Sequence, residues 1–200
     1  NRIVEWNEAM HLPEALHNIE QWMRQQENAA TKITEQILQV NSFSHFLAVI
    51  FGIGILTGIG EEMIFRGVLQ RIVQDKNHRA YVAVWICAFL FSAIHLQFYG
   101  FIPRLLLGAF FGYLLVWSKN LWLPIFAHLF NNSTVACISY FTNDKSPDNL
   151  IETIGTSGSP TSWLAGASLI GTVILLYVLY KKVFASKSKE FFPMEDKITP

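Results

Sequence analysis

Five apolar stretches constrain the fold of this chain more than any other sequence feature. They cover residues 43–60, 80–94, 101–117, 121–141 and 162–184. A membrane-spanning helix needs about 17–25 mostly apolar residues. The last stretch meets this cleanly, and the others are shorter or interrupted by polar groups. No stretch shows the alternation of a strand. The pattern therefore predicts an all-α fold, a polytopic membrane helical bundle of about five apolar helices.

Composition agrees with a membrane protein. Of the 200 residues, 52% are hydrophobic and 15% are charged, whereas a soluble domain carries about 25% charged residues. Fifteen basic and fifteen acidic residues give zero net charge, so no basic excess indicates nucleic acid as a partner. The expected partner is the lipid bilayer. Because the chain begins at Asn1 and no signal peptide precedes it, we expect it to be the C-terminal part of a longer protein.

The N-terminal segment differs from the rest of the chain. Residues 12–40 place apolar side chains at helical spacing along one stripe. This predicts an amphipathic helix before the bundle, and two interpretations remain open. The helix packs its stripe on neighbouring helices, or it lies in the membrane interface. We therefore divide the chain into an extramembrane segment 1–42, a membrane core 43–184 and a tail 185–200.

Loop charge predicts the orientation of the bundle. The tail after the last apolar stretch is rich in lysine, beginning with Lys181 and Lys182. Cytoplasmic loops carry an excess of Lys and Arg. The C-terminus is therefore expected in the cytoplasm.

Ionisable groups inside apolar helices are costly and are functional candidates by default. Glu61 and Glu62 follow the first apolar stretch, and Arg66 comes four residues after Glu62. On a helix, Glu62 and Arg66 share a face and can pair, while Glu61 points about 100° away. One carboxylate is then held by a salt bridge, and the other is free to face a cavity.

Polar side chains also occur at two later apolar stretches. His95 directly follows the second stretch, and His128 and Asn132 lie at i and i+4 within the fourth. An antiparallel hairpin turning near His78 brings Glu61 and His95 to one depth. Convergence of these side chains with His128 and Asn132 provides the groups needed to activate water and stabilise an oxyanion.

In this order, the patterns Glu-Glu-x-x-x-Arg, Phe-x-x-x-His and His-x-x-x-Asn resemble those of the CPBP family of intramembrane proteases. That family, also called Abi, includes CAAX prenyl-protein endopeptidases and bacteriocin-processing or self-immunity proteins. The resemblance covers residues 43–141, about half of the chain. It implies a protease of a bacterial inner membrane that acts on membrane-associated, lipidated or leader-type peptides. The residues that match its catalytic motifs are Glu61, Glu62, Arg66, His95, His128 and Asn132.

The implied mechanism leaves alternatives open. In the favoured one, Glu61 activates water, His95 shares the proton transfer, and His128 and Asn132 bind the oxyanion without a cofactor. The rival places zinc or another divalent metal on Glu61, His95 and His128, since two histidines and a glutamate are a known zinc set. Two non-protease functions are a self-immunity or regulatory binding protein of the same fold and a proton-coupled transporter.

Overall fold

The computed structural model describes residues 6, 9–77, 79–142 and 162–181, and this part of the chain is helical and contains no strand. A short 3-10 turn, Glu14–Leu16, leads into α1, His17–Leu38. The all-α prediction is therefore confirmed for the described residues. The predicted tail 185–200 and the predicted turn at His78 lie outside them.

The second helix, α2, covers residues 43–77 and carries both glutamates. The side chain of Ser42 caps its start by accepting a hydrogen bond from the backbone N–H of His45 at 3.2 Å. Two segments with the wider π-helical winding, Ile50–Leu56 and Met63–Leu69, flank the α-helical segment Thr57–Glu62. Such winding is rare and is frequently found at functional sites. Glu61 and Glu62 are thus the last two residues of the α-helical segment, directly before the second π-helical segment.

Four more helices follow the predicted apolar stretches to within a few residues. They are α3, Ala80–Ala93; α4, Phe101–Ser118; α5, Trp122–Thr142; and α6, Ser162–Leu179. Among the described residues, Phe43–Gln74 and Phe101–Ser118 are long and apolar enough to cross a membrane, and α3 is apolar but shorter. Five membrane crossings and the three-part division of the chain stay predictions.

The order of the helices brings three chain segments to one end of the bundle. His128, Asn132 and Ser139 of α5 contact residues 62, 53 and 38 respectively, so α5 runs antiparallel to α2. α3 returns along the last part of α2, and α4 packs along α3. The start of α2, the loop 94–100 and the end of α5 therefore share one end of the bundle, called here the site end.

The expectation that α1 packs its apolar stripe on its neighbours is wrong. Leu16, Ile19 and Ile33 of that stripe are 41%, 50% and 59% exposed. Instead, α1 contacts the site end through a different face, which carries Glu27 and Leu38. Hydrogen bonds to the loop 94–100 and α5 fix this face, and periodicity alone does not reveal them.

Candidate active site

The buried centre of the site is an ion pair within α2. Glu62 and Arg66 are both fully buried, and Arg66 Nη1 donates to Glu62 Oε1 at 2.9 Å. Arg66 Nη2 donates to the carbonyl of Gly108 on α4 at 2.6 Å. The predicted i,i+4 pair is therefore confirmed. It joins α2 to α4 and keeps the Glu62 carboxylate away from water.

His128 of α5 connects the two glutamates. Its Nδ1 lies 2.8 Å from Glu62 Oε1, and its Nε2 lies 3.7 Å from Glu61 Oε2. Since the ionised carboxylate of Glu62 only accepts hydrogen bonds, Nδ1–H is the donor, which leaves Nε2 facing Glu61. The imidazole is thereby held in one orientation between the carboxylates.

Glu61 differs from Glu62 in its surroundings. Its side chain is 25% exposed, whereas that of Glu62 is completely buried. No hydrogen bond closer than the 3.7 Å approach of His128 holds its carboxylate among the described residues. Adjacent glutamates of one helix therefore have opposite environments, one enclosed and one open to a small molecule such as water.

His95 lies in the loop 94–100, just after α3. Its Nδ1 is 2.7 Å from the carbonyl oxygen of Phe91. Because a carbonyl only accepts, Nδ1 carries the proton, and Nε2 of the neutral ring is left with its lone pair. Burial lowers the pKa of His95, which also lies within electrostatic range of Glu61 and His128. A neutral imidazole beside Glu61 can take a proton from water.

Asn132 lies one helical turn beyond His128 on α5, on the same side of the helix, as its spacing predicts. Its Nδ2 donates to the carbonyl of Ile53 on α2 at 3.1 Å, and its Oδ1 accepts from Asn131 at 3.3 Å. The side chain thus joins α5 to the turns of α2 that precede Glu61. No described contact joins it directly to Glu61 or His95.

An aromatic shell surrounds these polar groups, and sequence reasoning found only part of it. Phe91 is recognisable from its place one turn before His95. Phe111 of α4, which has no such signal, stacks on the His128 ring with centroids 4.8 Å apart. The Arg66 guanidinium lies 4.8 Å from the Phe91 centroid and 5.6 Å from that of Phe111. These rings fix the buried arginine and both imidazoles.

Close helix contact at glycine positions makes this arrangement possible. A Cβ at Gly58 would lie 3.2 Å from the backbone nitrogen of Leu129, next to His128. A Cβ at Gly108 would lie 3.1 Å from the Phe91 ring. Small residues let helix backbones approach closely in membranes. They therefore set the distances between the glutamates, His128 and the aromatic shell.

Arg104 of α4 is a further charged group that the motifs do not include. Its Nη2 donates to the Gln97 side chain at 2.5 Å and its Nη1 to the Gln97 carbonyl at 3.3 Å. Its charge acts on Glu61 and on Glu27 of α1. Because Gln97 is neutral, Arg104 keeps its full positive charge. That charge adds to the positive electrostatic potential at Glu61, and no described salt bridge joins Arg104 to Glu61.

The metal alternative stays a prediction of the sequence, because an Nδ1–H held by a carboxylate or carbonyl leaves Nε2 free to bind a metal. Among residues 6, 9–77, 79–142 and 162–181, no group of three or more His, Cys, Asp and Glu side chains is arranged to hold a metal ion. His128 directs Nδ1 to Glu62, and His95 directs Nδ1 to Phe91. No step below passes through a metal.

Comparisons with known proteins address the same region. Residues 43–134 match the family model "Type II CAAX prenyl endopeptidase Rce1-like". The chain is also 28% identical over 109 residues to "Uncharacterized protein YpbD" of Bacillus subtilis (strain 168). That alignment covers 52% of this chain and 51% of the relative, so the chain spans about half the length of the curated relative it matches. No solved structure matches significantly.

The matched range begins with α2 and ends two residues after Asn132, so it contains all six residues predicted from the motifs. The resemblance inferred from those motifs is confirmed for this region. Over residues 43–134, the chain is similar to the Rce1-like type II CAAX prenyl endopeptidases.

Proposed function

We propose that this chain is an intramembrane endopeptidase in which Glu61 activates water for attack on a peptide bond. The supporting observation is the contrast between the two glutamates: Glu62 is enclosed by Arg66 and His128, while Glu61 remains partly exposed. A carboxylate that acts as general base must be able to reach a water molecule. Similarity to the type II CAAX prenyl endopeptidases supports hydrolysis of a peptide bond.

Each polar group then has a role in the reaction. Glu61 takes a proton from water, and Nε2 of His95 shares that proton on its way to the leaving amine. The oxygen of water bonds to the scissile carbonyl carbon, and the carbonyl oxygen becomes an oxyanion. When the carbonyl re-forms, the carbon–nitrogen bond breaks and the amine leaves with the proton. In this proposal, Asn132, through its second Nδ2 hydrogen, and His128 bind this oxyanion.

Glu62 and Arg66 act as positioning residues in this proposal. Glu62 orients His128, and Arg66 ties that pair to α4 through Gly108. The substrates are membrane-associated peptides, lipidated or leader-type. The protein is integral to a membrane, as its family is, and we propose that this is a bacterial inner membrane with the C-terminus in the cytoplasm.

The test compares Glu61→Gln with Glu62→Gln in purified protein reconstituted in lipid vesicles. Cleavage of a membrane-anchored peptide is measured beside the free energy of unfolding. Glu61→Gln should strongly lower cleavage and leave the fold intact, whereas Glu62→Gln should lower both cleavage and stability. If Glu62→Gln abolishes cleavage without loss of stability, Glu62 is the chemical group and the proposed roles are reversed.

His95→Ala and His45→Ala form a matched pair for the second catalytic group. His45 lies in the first turn of α2, and its only described hydrogen bond is made by the backbone. We expect His95→Ala to be inactive and His45→Ala to be active. Because Glu61 and His95 act as a unit, adding His95→Ala to Glu61→Gln should cost little more. Additive losses would argue against a shared proton path.

Substrates can be identified by trapping. Cells that express Glu61→Gln should accumulate an uncleaved membrane peptide that disappears when the wild-type chain is restored. A self-immunity or regulatory binding protein would keep its cellular phenotype in Glu61→Gln. That outcome would contradict the peptidase proposal.

A further inference from the structure

The helix α1 has three distinct faces. Its first face carries Glu20, Glu27 and Leu38, which are spaced to lie on one line of the helix. Roughly a quarter turn away lies the apolar face, made of Leu16, Ile19, Met23, Ala30, Ile33 and Ile37. The remaining side, which includes Lys32, is polar and exposed. A helix packed on a bundle in water needs only two such faces.

The first face attaches α1 to the site end of the bundle. Glu27 Oε2 accepts from the backbone N–H of Tyr99 at 3.0 Å, and the Arg24 guanidinium lies 4.5 Å from the Tyr99 ring centroid. Trp22, on the other side of the helix beside Ile33, adds a ring contact with Phe98 at 5.3 Å. At the other end, the Leu38 carbonyl accepts from Ser139 Oγ at 2.6 Å. Because these contacts lie on the loop 94–100 and the end of α5, α1 runs across the end of the bundle.

The apolar face is left outside these contacts. Ile33 is 59% exposed, and Ile37 is exposed one turn later. Six residues beyond Ile37, directly after Ser42, α2 begins with the exposed apolar side chains of Phe43, Leu47 and Phe51. These belong to the candidate membrane span Phe43–Gln74. The exposed stripe of α1 is therefore followed along the chain by the exposed apolar surface of a candidate membrane span.

We propose that α1 is an interfacial membrane helix, held to the bundle on one side, with Leu16, Ile19, Ile33 and Ile37 inserted among the lipid chains and Lys32 facing water. Such helices bury their apolar face about 5–10 Å below the headgroups. α1 carries Glu20, Glu27 and Glu35 against Arg24 and Lys32. Without a cationic excess, insertion depends on apolar area and needs no anionic lipid.

This position has a consequence for the loop 94–100. The residues that α1 holds, Phe98 and Tyr99, follow His95 by three and four positions. The membrane surface therefore orients the segment that carries one of the proposed catalytic histidines. The position of α1 itself does not depend on the proposed peptidase activity.

The experiment measures the surroundings of nitroxide labels by electron paramagnetic resonance. The full chain is reconstituted in phosphatidylcholine vesicles, and labels are placed at Ile33→Cys, Ile37→Cys and, as matched control, Lys32→Cys. Cys137 is replaced by Ser, and Cys87, which is buried, is retained. Lys32 adjoins Ile33 in sequence but points about 100° away. Collisions with oxygen report lipid, and collisions with a nickel chelate report water.

Labels at residues 33 and 37 should collide with oxygen several times more often than with the nickel chelate, and the label at 32 should show the reverse. Replacing a third of the lipid with phosphatidylglycerol should not change this pattern. Nickel accessibility at 33 and 37 equal to that at 32 would overturn the proposal in favour of water. Shielding from both reagents would overturn it in favour of a covering protein surface.

Discussion

The buried pair Glu62–Arg66 allows the sharpest test of how this fold is stabilised. Arg66→Met removes the cation but keeps an unbranched side chain that fills much of its volume. The Glu62 carboxylate then retains only His128 as a partner, and the Gly108 carbonyl loses its donor. Removing one partner of a buried pair costs about 3–5 kcal/mol. Since about 1.4 kcal/mol is a tenfold change in equilibrium, unfolding should be favoured by roughly 10²- to 4 × 10³-fold.

The measurement is the free energy of unfolding by sodium dodecyl sulfate in mixed micelles, followed by circular dichroism. Arg24→Met is the matched control, because Glu20 and Arg24 form a second i,i+4 pair on α1 whose arginine is 41% exposed. The remaining Glu20 carboxylate is 12% exposed and still accepts a hydrogen bond from the Leu12 backbone N–H at 2.9 Å. The control should therefore lose less stability than Arg66→Met. The comparison separates burial from the mere presence of an ion pair.

The double variant Glu62→Leu, Arg66→Met completes the test. Replacing a whole buried pair by apolar side chains is often close to neutral, although here His128 also loses an acceptor. We expect the double variant to be more stable than Arg66→Met alone. A loss of less than about 1 kcal/mol in Arg66→Met, or a double variant less stable than the single one, would refute the reasoning.

Three further predictions concern the site. Gly58→Ala places a methyl group 3.2 Å from the Leu129 backbone nitrogen. It should lower the free energy of unfolding by about 1–3 kcal/mol and lower cleavage. Gly52→Ala, with open space around it, should leave the free energy of unfolding unchanged in the same assay. Asn132→Ala should lower kcat about 10²- to 10³-fold in vesicle kinetics if the Asn132 amide binds the oxyanion. An unchanged kcat would show that Asn132 only joins α5 to α2. Burial, aided by the nearby Arg104 charge, lowers the pKa of His95. Activity should therefore fall as pH decreases through that pKa, and Arg104→Gln should move the acid limb of the pH–rate profile to higher pH; an unmoved limb would show that His95 does not control it.

Local sequence was sufficient for the features that depend on spacing along one helix. Apolar stretches predicted α3, α4 and α5 to within a few residues, because each helix lies within one continuous apolar run. The Glu62–Arg66 pair was predictable because residues four apart on a helix are neighbours. The shared side of His128 and Asn132 follows from the same spacing.

Other features required the packing of separate helices. The burial of Glu62 and the exposure of Glu61 depend on where His128 of α5 and Gly108 of α4 lie, and no spacing within α2 specifies this. The π-helical segments around Thr57–Glu62 also change the angular relation between residues of α2 from that of a regular helix. Phe111 reaches His128 from a helix that carries no motif residue.

The contrast is clearest in α1. Its sequence determined that it is an amphipathic helix, because apolar side chains recur at helical spacing. Only the tertiary structure decided that Glu27 and Leu38, and not the apolar stripe, contact the bundle. The reason is physical: amphipathicity records how polar each face is, whereas orientation depends on which hydrogen bonds and rings the loop 94–100 and α5 present to the helix.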